Sequence, residues 1–216
     1  MKKQISFSTI KLSQLEGYID FQLEFDNAQF EKWFDYAYEL SKEEEEFLFS
    51  LLEDERLLIH GFSEEELKAK FIVPLLNKVK FKTDKIADWY ERSIRATVND
   101  LDIGGKTDFL VASGKKEPKL PYFFIQEFKP SESTSSPHDQ LLAELLVAIE
   151  LNEESQVLGA YVVNELWRFM LLRKNTDNTY TYFLSSGYNC LNKEDLKKLY
   201  ISLQGVKADI LERFIE

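Results

Sequence analysis

Thr107-Asp108-Phe109-Leu110-Val111-Ala112 and, further on, Tyr122-Phe123-Phe124-Ile125-Gln126-Glu127-Phe128-Lys129 are two apolar runs that carry their charges at one end. Their length and aromatic content predict two β-strands. Alternate residues of a strand share a face, so Glu127 and Lys129 project together. The polar interval 113–121 predicts a hairpin that brings Asp108 alongside them. Charges inside runs this apolar are costly to bury without a partner. A metal ion is such a partner, and two carboxylates with an ammonium form a minimal kit for metal-assisted phosphodiester hydrolysis.

Working downstream, residues 130–137 are polar and serine-rich and predict a loop. Residues 140–151 are apolar enough for a well-buried helix. Strands are expected at 158–163, 166–173 and 179–184, then a terminal helix over 193–214 with Gly205 as a weak point. A crossover helix between the Glu127 and Leu158 strands makes those neighbours parallel.

Upstream, residues 94–98 predict a strand, Gly104-Gly105 a turn into the Asp108 strand, and 115–121 a turn into the Glu127 strand. Ser41 with Glu44, and Ser63 with Glu66, are capping boxes that open two helices. Pro74 is expected to kink the second of these or end it early. Phe30, Trp33, Phe34, Tyr36, Ala37 and Leu40 recur at helical spacing within 27–58. Residues 4–26 alternate loosely, as an edge strand or an irregular lead-in. The run Glu43 to Glu46 fits a helix first turn, where negative charge meets the positive end of the dipole. The order of elements predicts an α/β or α+β core, 61–216, behind an acidic helical extension, 1–60.

The chain of 216 residues carries a net charge of −11, which argues at first against a nucleic-acid partner. Residues 1–66 hold 17 acidic and 6 basic side chains, whereas 67–216 hold 21 of each, so the acidity is confined to the first third. Within 68–119 there are 12 basic and 7 acidic residues, enough to track a phosphate backbone, although lysine counts alone favour ordinary solvated charge. The single cysteine, Cys190, excludes an intramolecular disulfide and a cysteine-based zinc cage, and two histidines exclude a histidine-rich metal site. The amino terminus lacks the apolar core of a signal peptide, and no apolar run reaches the roughly 18 residues of a membrane helix. These features lead to the expectation of a cytoplasmic protein with no membrane partner.

Four sets of residues resemble the PD-(D/E)XK nuclease superfamily, the restriction-endonuclease-like fold. They are Gly105-Lys106-Thr107-Asp108-Phe109-Leu110-Val111, Gln126-Glu127-Phe128-Lys129-Pro130, Pro137-His138-Asp139-Gln140-Leu141-Leu142, and Glu64 to Leu76 upstream. The last is similar to the opening helix of the nuclease part of type I restriction motor subunits. Gly159-Ala160-Tyr161-Val162 and Trp167-Arg168-Phe169 match the glycine-initiated and tryptophan strands of such domains. The resemblance spans about 60–185, and the acidic helical lead-in resembles uncharacterised bacterial members. It implies a mixed central sheet flanked by helices. It also implies that Asp108 and Glu127 ligate Mg²⁺ or Mn²⁺, which neutralises the scissile phosphate and lowers the pKa of a bound water. Lys129 then orients that water, Glu64 holds a metal-bound water, and Gln140 contacts substrate or the attacking water. Many relatives pair to cut both strands, so a homodimer stays open. Two residues depart from the pattern: Thr107 stands where proline is usual, and Lys68 where the type I subunits carry arginine.

Each residue also has a plainer reading. Asp108 could cap a turn after Gly104-Gly105, and Glu127 with Lys129 could be an exposed pair on an edge strand. Glu64 sits with Glu65 and Glu66 in a first turn where acids belong anyway, and Gln140 could simply begin its helix. His138 reads as a helix-entry residue, Cys190 as inert, and Trp33, Trp89 and Trp167 as core. The chain shows no Gly-x-x-x-x-Gly-Lys-Ser/Thr stretch, helix-turn-helix or zinc module. A protein partner must therefore supply any translocation or targeting. The expectation is a DNA-cleaving, Mg²⁺-dependent enzyme. The alternative is an inactive module on the same fold that binds a basic protein or DNA through its acidic layer; a third reading has that layer cover the active site as a built-in DNA mimic that must move before substrate enters.

Overall fold

The computed structural model describes residues 3–129 and 136–214. Its strands are β1 (Lys3–Ser6), β2 (Phe21–Glu24), β3 (Ile86–Val98), β4 (Leu101–Ser113), β5 (Lys119–Lys129), β6 (Gln156–Val163), β7 (Leu166–Lys174), β8 (Tyr180–Leu184) and β9 (Tyr188–Asn189). Its helices are α1 (Leu12–Leu15), α2 (Glu31–Phe34), α3 (Lys42–Glu55), α4 (Glu64–Leu67), α5 (Val73–Val79), α6 (Pro137–Asn152) and α7 (Lys193–Glu212). The fold is α/β, with one mixed sheet in the order β1-β4-β5-β6-β7-β8-β2; β3 also pairs with β4, and β9 with β7. The β4/β5 hairpin forms as expected, and β5 and β6, joined through α6, are parallel. Among the described residues, no helix is long and apolar enough to cross a membrane. Most of the loop expected at 130–137 lies outside the described residues.

The sheet separates two cores. On one face Phe109, Phe124, Phe128 and Phe169 meet side chains from α2, α3, α5 and α7; on the other, Leu110, Ile125 and Tyr161 meet α6 and α1. Helix α6 is buried nearly all round, packed against β5, β6 and β3, and its start is tied to the chain entering α1, where Leu12 N–H donates to Asp139 Oδ2 at 2.9 Å. Both capping boxes are present, Ser41 with Glu44 and Ser63 with Glu66.

Several expectations are corrected. The first 60 residues are not a purely helical layer: β1 runs parallel to β4 and β2 parallel to β8, so this segment supplies two strands to the central sheet. Within 27–41, regular helix is limited to a short turn and α2, and residues 36–40 belong to no helix. Strand β3 begins at Ile86, eight residues before the predicted start. Gly104-Gly105 is not a turn but lies inside β4, and the reversal falls at Asn99, whose φ is 51°. The glycines serve close approach instead: a Cβ on Gly105 would stand 2.9 Å from Phe7 Cδ2, and one on Gly104 2.8 Å from the Ile94 carbonyl. Pro74 does not end its helix. It lacks an N–H and its ring crowds the carbonyl four residues back, and a single wide turn over Lys68–Ile72 links α4 to α5.

Candidate active site

The β4/β5 ladder ends at Phe109↔Gln126, while β5 stays paired with β6 as far as Lys129↔Val163. The two strands therefore part just where Asp108 and Glu127 follow in register. In that gap Phe128 N–H donates to Asp108 Oδ2 at 2.8 Å, so a carboxylate takes the place of a ladder carbonyl. On the other side of β4, the ladder with β3 skips one pair, Glu91 and Asp108, and Glu91 adopts a left-handed φ of 53°. A non-glycine residue held there is locally strained, a condition common at functional sites. The plainer reading of Asp108 as a turn cap fails, because no turn precedes it.

Alternation along β5 places Glu127 and Lys129 on the face of Ile125, under α6. Lys129 Nζ lies 2.8 Å from Glu127 Oε1 and 3.2 Å from Glu64 Oε2. Lys68 Nζ, from the wide turn after α4, lies 2.7 Å from Asp108 Oδ1, 3.1 Å from Glu64 Oε1 and 3.2 Å from Glu91 Oε1. Glu64 thus bridges the two ammoniums. Four of the five expected residues, Asp108, Glu127, Lys129 and Glu64, form one charged cluster. Gln140 does not join it: its Nε2 donates at 3.4 Å to Glu144 Oε1, one turn on along α6.

Glu127 is fully buried, and neither of its oxygens has an aligned hydrogen bond; the Lys129 contact is one of charge and proximity. Burial first, then the neighbouring Asp108 charge, push its carboxyl up to about 8 against the pull of Lys129. Burial alone would lower the Lys68 ammonium, but Asp108 and Glu64 outweigh it and hold the group above its ordinary range. Lys129 is raised in the same way, burial opposing, by Glu127, Asp108 and Glu64. Both cations are therefore charged at neutral pH.

Two acidic residues that bear on this region were missed in the sequence. Glu91 lies in β3 before the stretch 94–98 where the sequence places a strand. Glu144 lies in the middle of α6 and is completely buried. A single glutamate between Ala143 and Leu145, in a helix otherwise apolar from Leu141 to Ile149, was the available signal. Elsewhere, Cys190 is buried and burial raises its thiol far from reactivity. His138 Nδ1 sits 2.9 Å from Asp139 Oδ1 at the helix entry.

Among the described residues, no three Asp, Glu, His or Cys side chains converge on a point where they could hold a metal ion. Comparison with protein-family models and with curated proteins gives no match to this chain.

Proposed function

We propose that this chain is a PD-(D/E)XK-like nuclease that cleaves DNA with Mg²⁺ or Mn²⁺ at Asp108, Glu127 and Lys129. The observation that carries the reading is the burial of Glu127 without an aligned hydrogen bond, beside Asp108, where two strands part. A wholly buried carboxylate left in this state is costly, and one serving only structure would be better replaced by an apolar residue. The donors fit a hard divalent cation: they are all oxygen, and Mg²⁺ takes only one or two carboxylates, with water and phosphate oxygens for the rest. Asp108 and Glu127 would hold the ion, which when bound supplies Lewis-acid stabilisation of phosphate charge.

The chain's own groups have separable roles. Phe128 N–H fixes the Asp108 carboxylate in one orientation. Lys129 presents an ammonium 2.8 Å from Glu127, placed to hold a water and to balance charge on a phosphate oxygen. Glu64 aims Lys129 through its second contact at 3.2 Å. Lys68 has three donors on a compact head, which suits three carboxylates arriving from three elements better than the planar fork of arginine. The rival reading, an interaction module working through its acidic layer, is disfavoured by the Glu43 to Glu46 run. Glu44 is tied to Tyr38 and Tyr200, while Glu43, Glu45 and Glu46 form surface ion pairs with Lys78, Lys197 and Lys42.

The test is incubation with Mg²⁺ or Mn²⁺ and supercoiled, linear or single-stranded DNA, beside Asp108→Ala and Lys129→Ala. Cleavage that needs the cation and falls at least a hundredfold in both variants is expected. Cleavage indifferent to both substitutions places the activity elsewhere or in a contaminant. No cleavage of any substrate, with no Asp108-dependent shift in melting temperature on adding Mn²⁺, returns the chain to the interaction-module reading.

A further inference from the structure

Glu144 has no role in the reading above, yet its position is hard to explain by packing. It projects from the middle of α6, with Leu141, Leu142, Leu145 and Leu146 fully buried around it. Its Oε2 has no hydrogen-bond partner, and its Oε1 has one long contact, to Gln140 Nε2 at 3.4 Å. An ordinary core position would take leucine or methionine, and a carboxyl held there with one oxygen unsatisfied costs stability. The helix packs against β5, where Glu127 is the other fully buried carboxylate with unsatisfied oxygens. Glu144 lies within the field of the pair beneath it: burial, then Glu127, then Asp108 raise its carboxyl well above its usual range.

The charge balance points the same way. Glu64, Glu91, Asp108, Glu127 and Glu144 gather about two ammoniums, Lys68 and Lys129. Fully ionised, the group carries more negative charge than its lysines offset, and the excess falls on the two glutamates that water does not reach. Five carboxylates against two ammoniums leave three negative charges, and a divalent cation between Glu127 and Glu144 would offset two of them, which no remaining basic side chain on these elements does.

We propose that Glu144 is a third carboxylate of the cation site, reaching it from α6 opposite Asp108 and Glu127, with Gln140 as the positioning residue that holds it in the metal-free protein. The inference rests on the cation-dependent reading of Asp108 and Glu127 and extends it to a ligand on a different element. Since no three acids yet converge on a metal-sized point, binding requires the side chains of Glu144 and Glu127 to rotate toward the ion. Helix α6 thereby becomes part of the site rather than its support.

Mn²⁺ binding to the full-length protein, followed by calorimetry and by the free-ion resonance signal, tests this without reference to cleavage. Wild type is compared with Asp108→Asn, Glu144→Gln and Glu144→Met, each checked for a cooperative melt. The glutamine is near-isosteric, and methionine suits the apolar surroundings, so both variants are expected to melt at or above the wild-type temperature without metal. Mn²⁺ affinity is expected to fall at least tenfold in Asp108→Asn and in both Glu144 variants. If both Glu144 variants bind Mn²⁺ within twofold of wild type while Asp108→Asn does not, the third-ligand assignment is wrong and the two-carboxylate site stands. If wild type binds no Mn²⁺, or Asp108→Asn binds it equally well, the cation centre itself is wrong and the assignment falls with it.

Discussion

Two glutamates of this chain show how far surroundings decide what a carboxyl does. Glu127 meets no aligned donor and is pushed up to about 8, whereas Glu44 meets several and is held down at about 2. Burial alone would raise Glu44 as well. It is outweighed by Tyr38 Oη at 2.6 Å, Tyr200 Oη at 2.8 Å, and the Ser41 N–H and Oγ, both at 2.8 Å. The folded state therefore binds the Glu44 proton more weakly than the unfolded chain. The resulting stability is complete above the ordinary value of 4.5 and is lost as pH falls toward 2. Glu44→Gln is expected to destabilise the protein by about 1.5–3 kcal/mol at pH 7, the range for hydrogen bonds to a charged group. That deficit should shrink steadily below pH 4.5, as read from urea midpoints across the acid range; a deficit unchanged at pH 3 would mean that packing, not charge, holds Glu44. At this scale the sequence was informative where a residue's neighbours in the chain are its neighbours in space. The capping boxes and the Glu127–Lys129 pair are of that kind. Glu91 and Glu144 were not legible, because what makes them unusual is a skipped ladder pair and a helix lying over β5.

Elements form where propensity and burial agree, and α7 at Gly205 shows a case where they conflict. Read along the chain, Gly205 is a weak point in a long helix, since glycine costs about 1 kcal/mol relative to alanine there. Its place in the fold explains it: a Cβ at that position would stand 2.7 Å from the Trp33 carbonyl oxygen and 2.9 Å from Tyr36 Cβ. Alanine would gain the helix propensity but force α2 away from α7, and overpacking of this kind costs about 1–3 kcal/mol, here against backbone that cannot rotate aside. Gly205→Ala is thus expected to lower the urea midpoint, and a raised midpoint would show that α2 shifts without penalty. The same packing explains why 27–40 misleads as a helix. Phe34 stacks on Phe30 and meets Phe169 and Tyr188 edge-on, while Tyr38 meets Tyr200, so aromatic spacing of three and four is satisfied by a short helix and an irregular strap. The long, uniformly apolar elements β4, β5 and α6 were legible because burial on both sides leaves no other way to place them. Strands β1 and β2 were not: four residues each, they exist only by pairing with strands about a hundred positions or more away.

The whole molecule places its acidic first third across both faces of the sheet rather than beside it. Eleven of the buried apolar side chains precede His60, from Ile5, Phe7, Ile10, Leu15 and Ile19 in one core to Phe30, Trp33, Leu48, Leu51, Leu52 and Ile59 in the other. Burying one such side chain stabilises by about 1.5–3 kcal/mol, against a net stability of about 5–15 kcal/mol for an ordinary domain. Losing half of them would remove about 8–17 kcal/mol, as much as the whole margin, and removing β1 and β2 would also open edges on β4 and β8. A fragment of residues 61–216 is therefore expected not to fold: no cooperative thermal transition by circular dichroism and a collapsed amide spectrum. The candidate site argues the same way, since Phe7 packs on Gly105, three residues from Asp108, and the chain entering α1 ties down the start of α6. A fragment that melts cooperatively and still cleaves DNA would instead make the first 60 residues an accessory layer and reopen a regulatory role for their charge. A fragment that fails to fold makes that charge the outer surface of a segment the central sheet cannot do without.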